Sequence, residues 1–182
     1  MHSKSFMKVR YFSFTLILTG IVILACKKPD EFPLEPVITF KSISSLQNLQ
    51  GYDEKISVVL GFTDGDGDIG YKNRGENDAI FDDPNSIYYN NYFVTYSLFR
   101  NGVWSTVSTT VPILPPIDPI AGRLPYITPN GKNKSLKGEI SCDIDVPLQA
   151  TQDTFRLDLF IYDRSLHKSN IITTTEFILN TQ

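Results

Sequence analysis

The most constraining feature of this chain is a two-residue period. Ile56, Val58, Leu60 and Phe62 alternate with Ser57, Val59 and Gly61, and Phe155, Leu157, Leu159 and Ile161 alternate with Arg156, Asp158, Phe160 and Tyr162. Successive side chains of a strand point to opposite faces, so this pattern buries one face of a sheet and would scatter around a helix. Leu136, Ile140, Cys142, Ile144 and Val146 line one face of a further strand. Residues 92–100 are rich in Tyr, Phe, Val and Thr and run into Asn101-Gly102, a strong short-range hairpin signal with Val103-Trp104 opening the return strand. A first strand over Val37–Ile43 and a last over about Ile171–Leu179, after a polar turn at Arg164–Asn170, complete the set. About seven strands in about 145 residues predict an all-β, antiparallel β-sandwich of immunoglobulin or fibronectin type, with a small barrel or jelly roll as the alternative.

Composition agrees with a packed domain. Hydrophobic residues make up 41% of the 182 and charged residues 20%, enough for a core and too apolar for wholesale disorder. The net charge of −3 argues against a nucleic-acid partner. Two histidines, His2 and His167, and two cysteines, Cys26 and Cys142, are too few for most zinc sites, Cys–His nucleophile pairs or a disulfide framework. Cys142 reads as a buried strand residue.

The first 25 residues read as an address. Lys4, Lys8 and Arg10 precede the uncharged run Tyr11–Ala25, which is short for a membrane span and suits a signal-peptide core. Leu24-Ala25-Cys26 looks like a bacterial lipobox, whose cysteine is diacylated and becomes the new N-terminus. The expected organisation is therefore a lipoprotein signal peptide over 1–25, a lipidated tether over 26–36 that carries Pro29, Pro33 and Pro36, and a sandwich domain over 37–182. Acyl chains on Cys26 make the membrane a partner. Position 27 is not aspartate, so the inner-membrane retention signal is missing. Lys28, Asp30 and Glu31 resemble a surface-export signal, from which Pro29 departs. The expected location is the outer membrane, on the cell surface or else on the periplasmic face.

Two long loops break the strand spacing, about Asp64–Asn91 and Ser108–Ser135. Loops of that length in compact domains are usually functional or disordered. The second holds six of the eleven prolines, which either present a rigid surface or wrap the sandwich edge. The first opens with Asp64-Gly65-Asp66-Gly67-Asp68-Ile69-Gly70, and its stretch Asp64–Asp83 has a net charge of −5 from seven acids, Lys72 and Arg74. Carboxylates at i, i+2 and i+4 with glycines between can curl inward, as Ca²⁺ requires with its six to eight oxygen ligands. The EF-hand template fails, because Ile69 and Gly75 stand at its sixth and twelfth positions. A calcium site would need a distal ligand from Glu76, Asp78 or Asp163, the last at the end of the Phe155–Ile161 strand; the candidate set is Asp64, Asp66, Asp68 and Asp163. The competing reading is a chain of Asx turns in a solvated loop.

Tyr88, Tyr89, Tyr92, Phe93, Tyr96 and Phe99 crowd twelve residues, with Trp104 beyond the hairpin. Alternation places Tyr92 and Tyr96 on one face and Phe93 and Phe99 on the other. Tyr88, Tyr89, Tyr92 and Trp104 are the candidate stacking residues for a glycan, against the plainer reading that all are core.

Together, the lipobox, the strand running into "GFTDGDGDIG", the later "GKNKSLKGEI" and "IYDRSLHKSN" resemble a family of Bacteroidota outer-membrane lipoproteins. The resemblance implies an envelope location and an Ig-like fold, and carries no activity from which a catalytic residue could be transferred. In related sandwiches the last turn often reads Asp-x-x-Gly-Asn; here Leu166 and His167 replace its small residues. His167, Asp163 and Ser165 share one turn, unlike triad members, which come from separate elements. The sequence thus favours a non-catalytic, lipid-anchored accessory or interaction subunit beside an outer-membrane protein. The alternative is a surface carbohydrate- or ligand-binding module stabilised by calcium.

Overall fold

The computed structural model describes residues 31–107, 120–131, 134–146 and 154–180. The signal peptide, Cys26, tether residues 27–30 and the proline-rich residues 108–119 lie outside the described residues.

The alternating segments pair as two antiparallel sheets, giving an all-β sandwich. Strands β1 (Val37–Gln47), β2 (Asp53–Asp64) and β6 (Leu136–Asp145) form a three-stranded sheet in the order β1-β2-β6. Strands β3 (Tyr92–Arg100), β4 (Val103–Val107), β7 (Thr154–Ile161) and β8 (Ile172–Thr173) form the second in the order β4-β3-β7-β8, with β5 (Ile120–Gly122) also on β3 and β9 (Phe177–Ile178) also on β7. Ile56, Val58, Leu60, Cys142 and Ile144 from the first sheet close against Val94, Tyr96, Leu157, Leu159 and Ile161 from the second, every one of them buried. The period-2 pattern is thus one core divided between two faces. Burial also raises the Cys142 thiol to about 12, which keeps it protonated and unreactive.

Asn101 and Gly102 both take positive φ, 51° and 80°, the conformation of a two-residue type I′ hairpin whose twist matches its strands. At the other side of the sheet, the expected last strand over Ile171–Leu179 is broken into β8 and β9. Thr174 explains the break. Its hydroxyl accepts from Leu157 N at 3.0 Å while its own N–H donates to Leu157 O at 2.9 Å, so a side chain occupies a ladder position and the register slips before Phe177 meets Phe155. The expected Asp64–Asn91 loop contains a one-turn helix, α1 (Ala79–Asp82), which buries Phe81.

One edge of β3 is shared. β4 pairs with Tyr96–Arg100 and β5 with Tyr92–Val94, so the chain leaves that edge at Val107, opposite Tyr96, and rejoins it at Ile120, opposite Val94.

The two sheets share their ends. At one end Asp64 and Leu136 meet in the first sheet, and Tyr92 and Ile161 in the second. At the other lie the turn 48–52 and the Asn101-Gly102 hairpin, with Asn180 joining Asp53 at 2.8 Å. The chain comes in at the first end, where Pro33 O accepts from Gly65 N at 2.8 Å. Among the described residues no helix is long and apolar enough to cross a membrane.

Candidate functional site

The acidic segment is shaped by what lies under and against it. Ile69 is fully buried and pins the loop to the core. Gly67 has φ +65°, and a Cβ there would fall 1.7 Å from Lys134 O; Gly70 has φ +84°, and a Cβ there would fall 1.8 Å from Pro125 O. Both need glycine for conformation and for room. The backbone therefore curls between two neighbouring segments, and Asp68 N donates to Asp64 Oδ2 at 2.9 Å across the curl.

Asp163 approaches from the end of β7. Its carboxylate is completely buried and held twice by His167, whose N–H donates to Oδ1 at 2.7 Å and whose ring Nδ1 lies 2.9 Å from Oδ2. Leu166 takes φ 68° in this turn, a left-handed conformation that favours glycine. Two further bonds fasten the turn to the acidic loop: Arg164 N donates to Asp68 O at 3.3 Å and Ser165 Oγ to Asp68 Oδ2 at 2.8 Å. The Arg164 guanidinium donates to Gly70 O at 2.7 Å and to Thr128 Oγ1 at 2.5 Å, and stacks 4.6 Å from the Tyr126 ring.

The result brings Asp64, Asp66, Asp68 and Asp163 together, each offering a carboxylate oxygen within 4.8 Å of the others. Asp64 is wholly inaccessible. The Oδ1 atoms of Asp64, Asp66 and Asp68 are shut off from solvent without a hydrogen-bond donor. Burial first, and then the Asp66 carboxylate beside it, push Asp64 up to about 7. Burial likewise pushes Asp163 up to about 6, against the His167 hydrogen bonds, and Asp163 in turn raises His167. Such a group of hard oxygen donors is suited to a hard cation. Glu76 and Asp78 are exposed and stand outside the cluster.

The aromatic candidates do not share one surface. Tyr88 sits edge-on to Tyr162 at 5.9 Å. Tyr89 faces the Arg123 guanidinium, which lies 4.9 Å from its ring and 4.8 Å from that of Tyr71. Tyr92 is half-buried over Gly122 and reaches Asp143 O at 3.4 Å. Trp104 packs on Phe99 at 5.1 Å beneath the Arg156 guanidinium at 4.3 Å. Alternation correctly separates Tyr92 and Tyr96 from Phe93 and Phe99, and it is the outward set that makes a cluster. Phe93 stacks on Phe160 at 5.1 Å and meets Tyr162 edge-on, with the Lys168 ammonium 3.9 Å from the Phe160 ring. Phe160 on β7, and Tyr162 just past its end, could have been chosen from their outward positions in the alternation.

Arg123 escaped sequence reasoning altogether. It donates to Phe81 O and Tyr89 O and pairs with Asp82, holding α1 and residues 88–91 to the sandwich. A lone arginine after a proline-rich stretch carries no periodic signal.

No family model matches this chain, and no curated protein and no solved structure matches it.

Proposed function

We propose that this protein is a non-catalytic, lipid-anchored module of the outer membrane that works by contact, as an accessory or interaction subunit of a larger envelope protein. The strand order, β1-β2-β6 against β4-β3-β7-β8, fits the immunoglobulin and fibronectin type of sandwich, a frequent scaffold for recognition. The observation that carries the reading is exposed apolar surface at both ends of the sandwich, including the end remote from the tether. Residues 32–36 join the sandwich at its acidic end, at or near which Leu34, Val37, Ile80, Ile87, Tyr126 and Ile171 are exposed, and Leu46, Leu49, Phe99, Val103 and Ile178 are exposed at the opposite end. Apolar surface presented there is what a protein partner would cover.

The test is affinity purification of the full lipidated protein from gently solubilised outer membranes, followed by mass spectrometry. A stoichiometric outer-membrane protein is expected, and the paired change Phe99→Asp and Val103→Asp should release it. Recovery of the wild-type protein alone would reject the subunit reading.

A second reading, a glycan-binding module, is favoured by the Phe93–Phe160–Tyr162 cluster on the outer face of the larger sheet. It predicts that isolated protein binds a surface polysaccharide and that Phe160→Ser abolishes this binding.

A further inference from the structure

We propose that Asp64, Asp66, Asp68 and Asp163 form a Ca²⁺ site whose ion ties the end of β2 in one sheet to the end of β7 in the other. Asp64 makes the case, because it is fully buried and only half satisfied. Its Oδ2 accepts from Asp68 N, while its Oδ1 is closed off from water with no donor, beside two more such oxygens on Asp66 and Asp68. A buried carboxylate oxygen in that state has lost its hydration and gained nothing for it. Asx turns account for Asp64 Oδ2 and leave all three Oδ1 atoms unexplained.

A cation supplies the missing partner, and the site's charge suits a divalent one. The four carboxylates gather in one place, and the Arg164 guanidinium is directed to Gly70 O and Thr128 Oγ1 rather than to them. The donors are all oxygen, which disfavours zinc and copper. Size is compatible with calcium. Oxygens on opposite sides of Ca²⁺ are about 4.6–5.2 Å apart and those around Mg²⁺ about 4.0–4.2 Å; the four carboxylates span up to 4.8 Å. Mg²⁺ also keeps much of its water, for which the sealed oxygens leave little room. His167 plays the outer part, fixing both oxygens of Asp163 in place.

Sealed oxygens also define the role. The ion is enclosed rather than presented to a ligand, so it acts as a clamp. Asp64 and Asp163 are far apart in sequence and on different sheets, and linking them does what an inter-sheet disulfide does elsewhere. Cys142, buried and free, has no such part.

The experiment uses the full lipidated chain in detergent, stripped of metal with EGTA. Equilibrium dialysis against radioactive Ca²⁺, up to about 10 mM free ion, should find one ion bound per chain. At a hundredfold excess over Kd the thermal midpoint should rise by about 5–10 °C, and by less with Mg²⁺. Asp66→Asn should lose the bound ion and the Ca²⁺-dependent rise, while unfolding in EGTA no earlier than the wild type. Asp68→Asn serves if that variant does not fold. Absence of bound calcium in the wild type, or an equal calcium response in the variants, would overturn the proposal.

Discussion

The side chain of Asn170 stands in for a strand beside Ile38. Ile38 N donates to Asn170 Oδ1 at 2.8 Å, and Asn170 Nδ2 donates to Ile38 O at 2.9 Å, so one carboxamide meets the backbone of β1 as a peptide group would. Ile38 belongs to the smaller sheet, and Asn170 precedes β8 of the larger one. The pair therefore holds the first strand across the gap between sheets. Replacing Asn170 with Ala removes both partners of a strand whose Ile38 is buried, at a cost of about 2 kcal/mol. Thermal denaturation should show a midpoint about 4–8 °C lower. An unchanged midpoint would mean that water replaces the carboxamide freely.

Stability without calcium should depend on pH in an unusual direction. Folding raises Asp64 from 3.8 to about 7 and Asp163 from 3.8 to about 6, so over that window the folded chain binds more protons than the unfolded one. Stability must then fall as pH rises through the window. His167, raised by Asp163, adds stability that is complete below its unfolded value and is lost as pH climbs through its folded one. All three effects run the same way. In EGTA the protein should be more stable at pH 5 than at pH 8 by on the order of 2 kcal/mol. Saturating calcium should close the gap, since the ion needs ionised carboxylates. Urea titrations at the two pH values, with and without calcium, measure all four corners.

Two glycines separate backbone conformation from crowding. Gly67 and Gly75 have positive φ of +65° and +84°, but only at Gly67 would a Cβ meet a backbone oxygen, Lys134 O at 1.7 Å; Gly75 faces open space. Gly75→Ala should cost about 1 kcal/mol, the price of a left-handed alanine. Gly67→Ala must also displace residue 134, and should cost about 3 kcal/mol or more. Equal losses in chemical denaturation would show that Lys134 yields without resistance.

Leu166 offers the reverse experiment. It holds φ 68°, which suits glycine and strains leucine. Leu166→Gly should raise stability by about 0.5–1 kcal/mol, read as a higher urea midpoint at unchanged slope. A lower midpoint would show that the half-buried leucine side chain contributes more by packing than its backbone loses by strain.

These cases also mark how far the sequence could be read. Strands β2, β3 and β7 were visible because burial imposes a two-residue period, and Asn101-Gly102 because only a few residues accept two positive φ angles in succession. Asp163 could be matched with the distant Asp64–Asp68 run because it directly follows an alternating strand, whose end could be counted. Asn170, Thr174 and Arg123 were not readable. Each works by a side chain taking the place of a backbone group or filling a space between loops, and such substitutions repeat with no period. The break between β8 and β9 follows from this local chemistry. Outward-facing positions such as Phe160 and Lys168 face the same difficulty, since the partner of an outward side chain lies on a neighbouring segment.

The divided edge of β3 makes the domain tolerant of change at one place. β4 is registered by Tyr96–Arg100 and its hairpin, and β5 independently by Tyr92–Val94, so neither depends on the length of chain between Val107 and Ile120. Doubling a loop costs only about 0.6 kcal/mol in closure entropy. Natural variation can therefore lengthen, shorten or replace residues 108–119 while the sandwich keeps its register, and a protein engineer could graft an epitope or a second domain there.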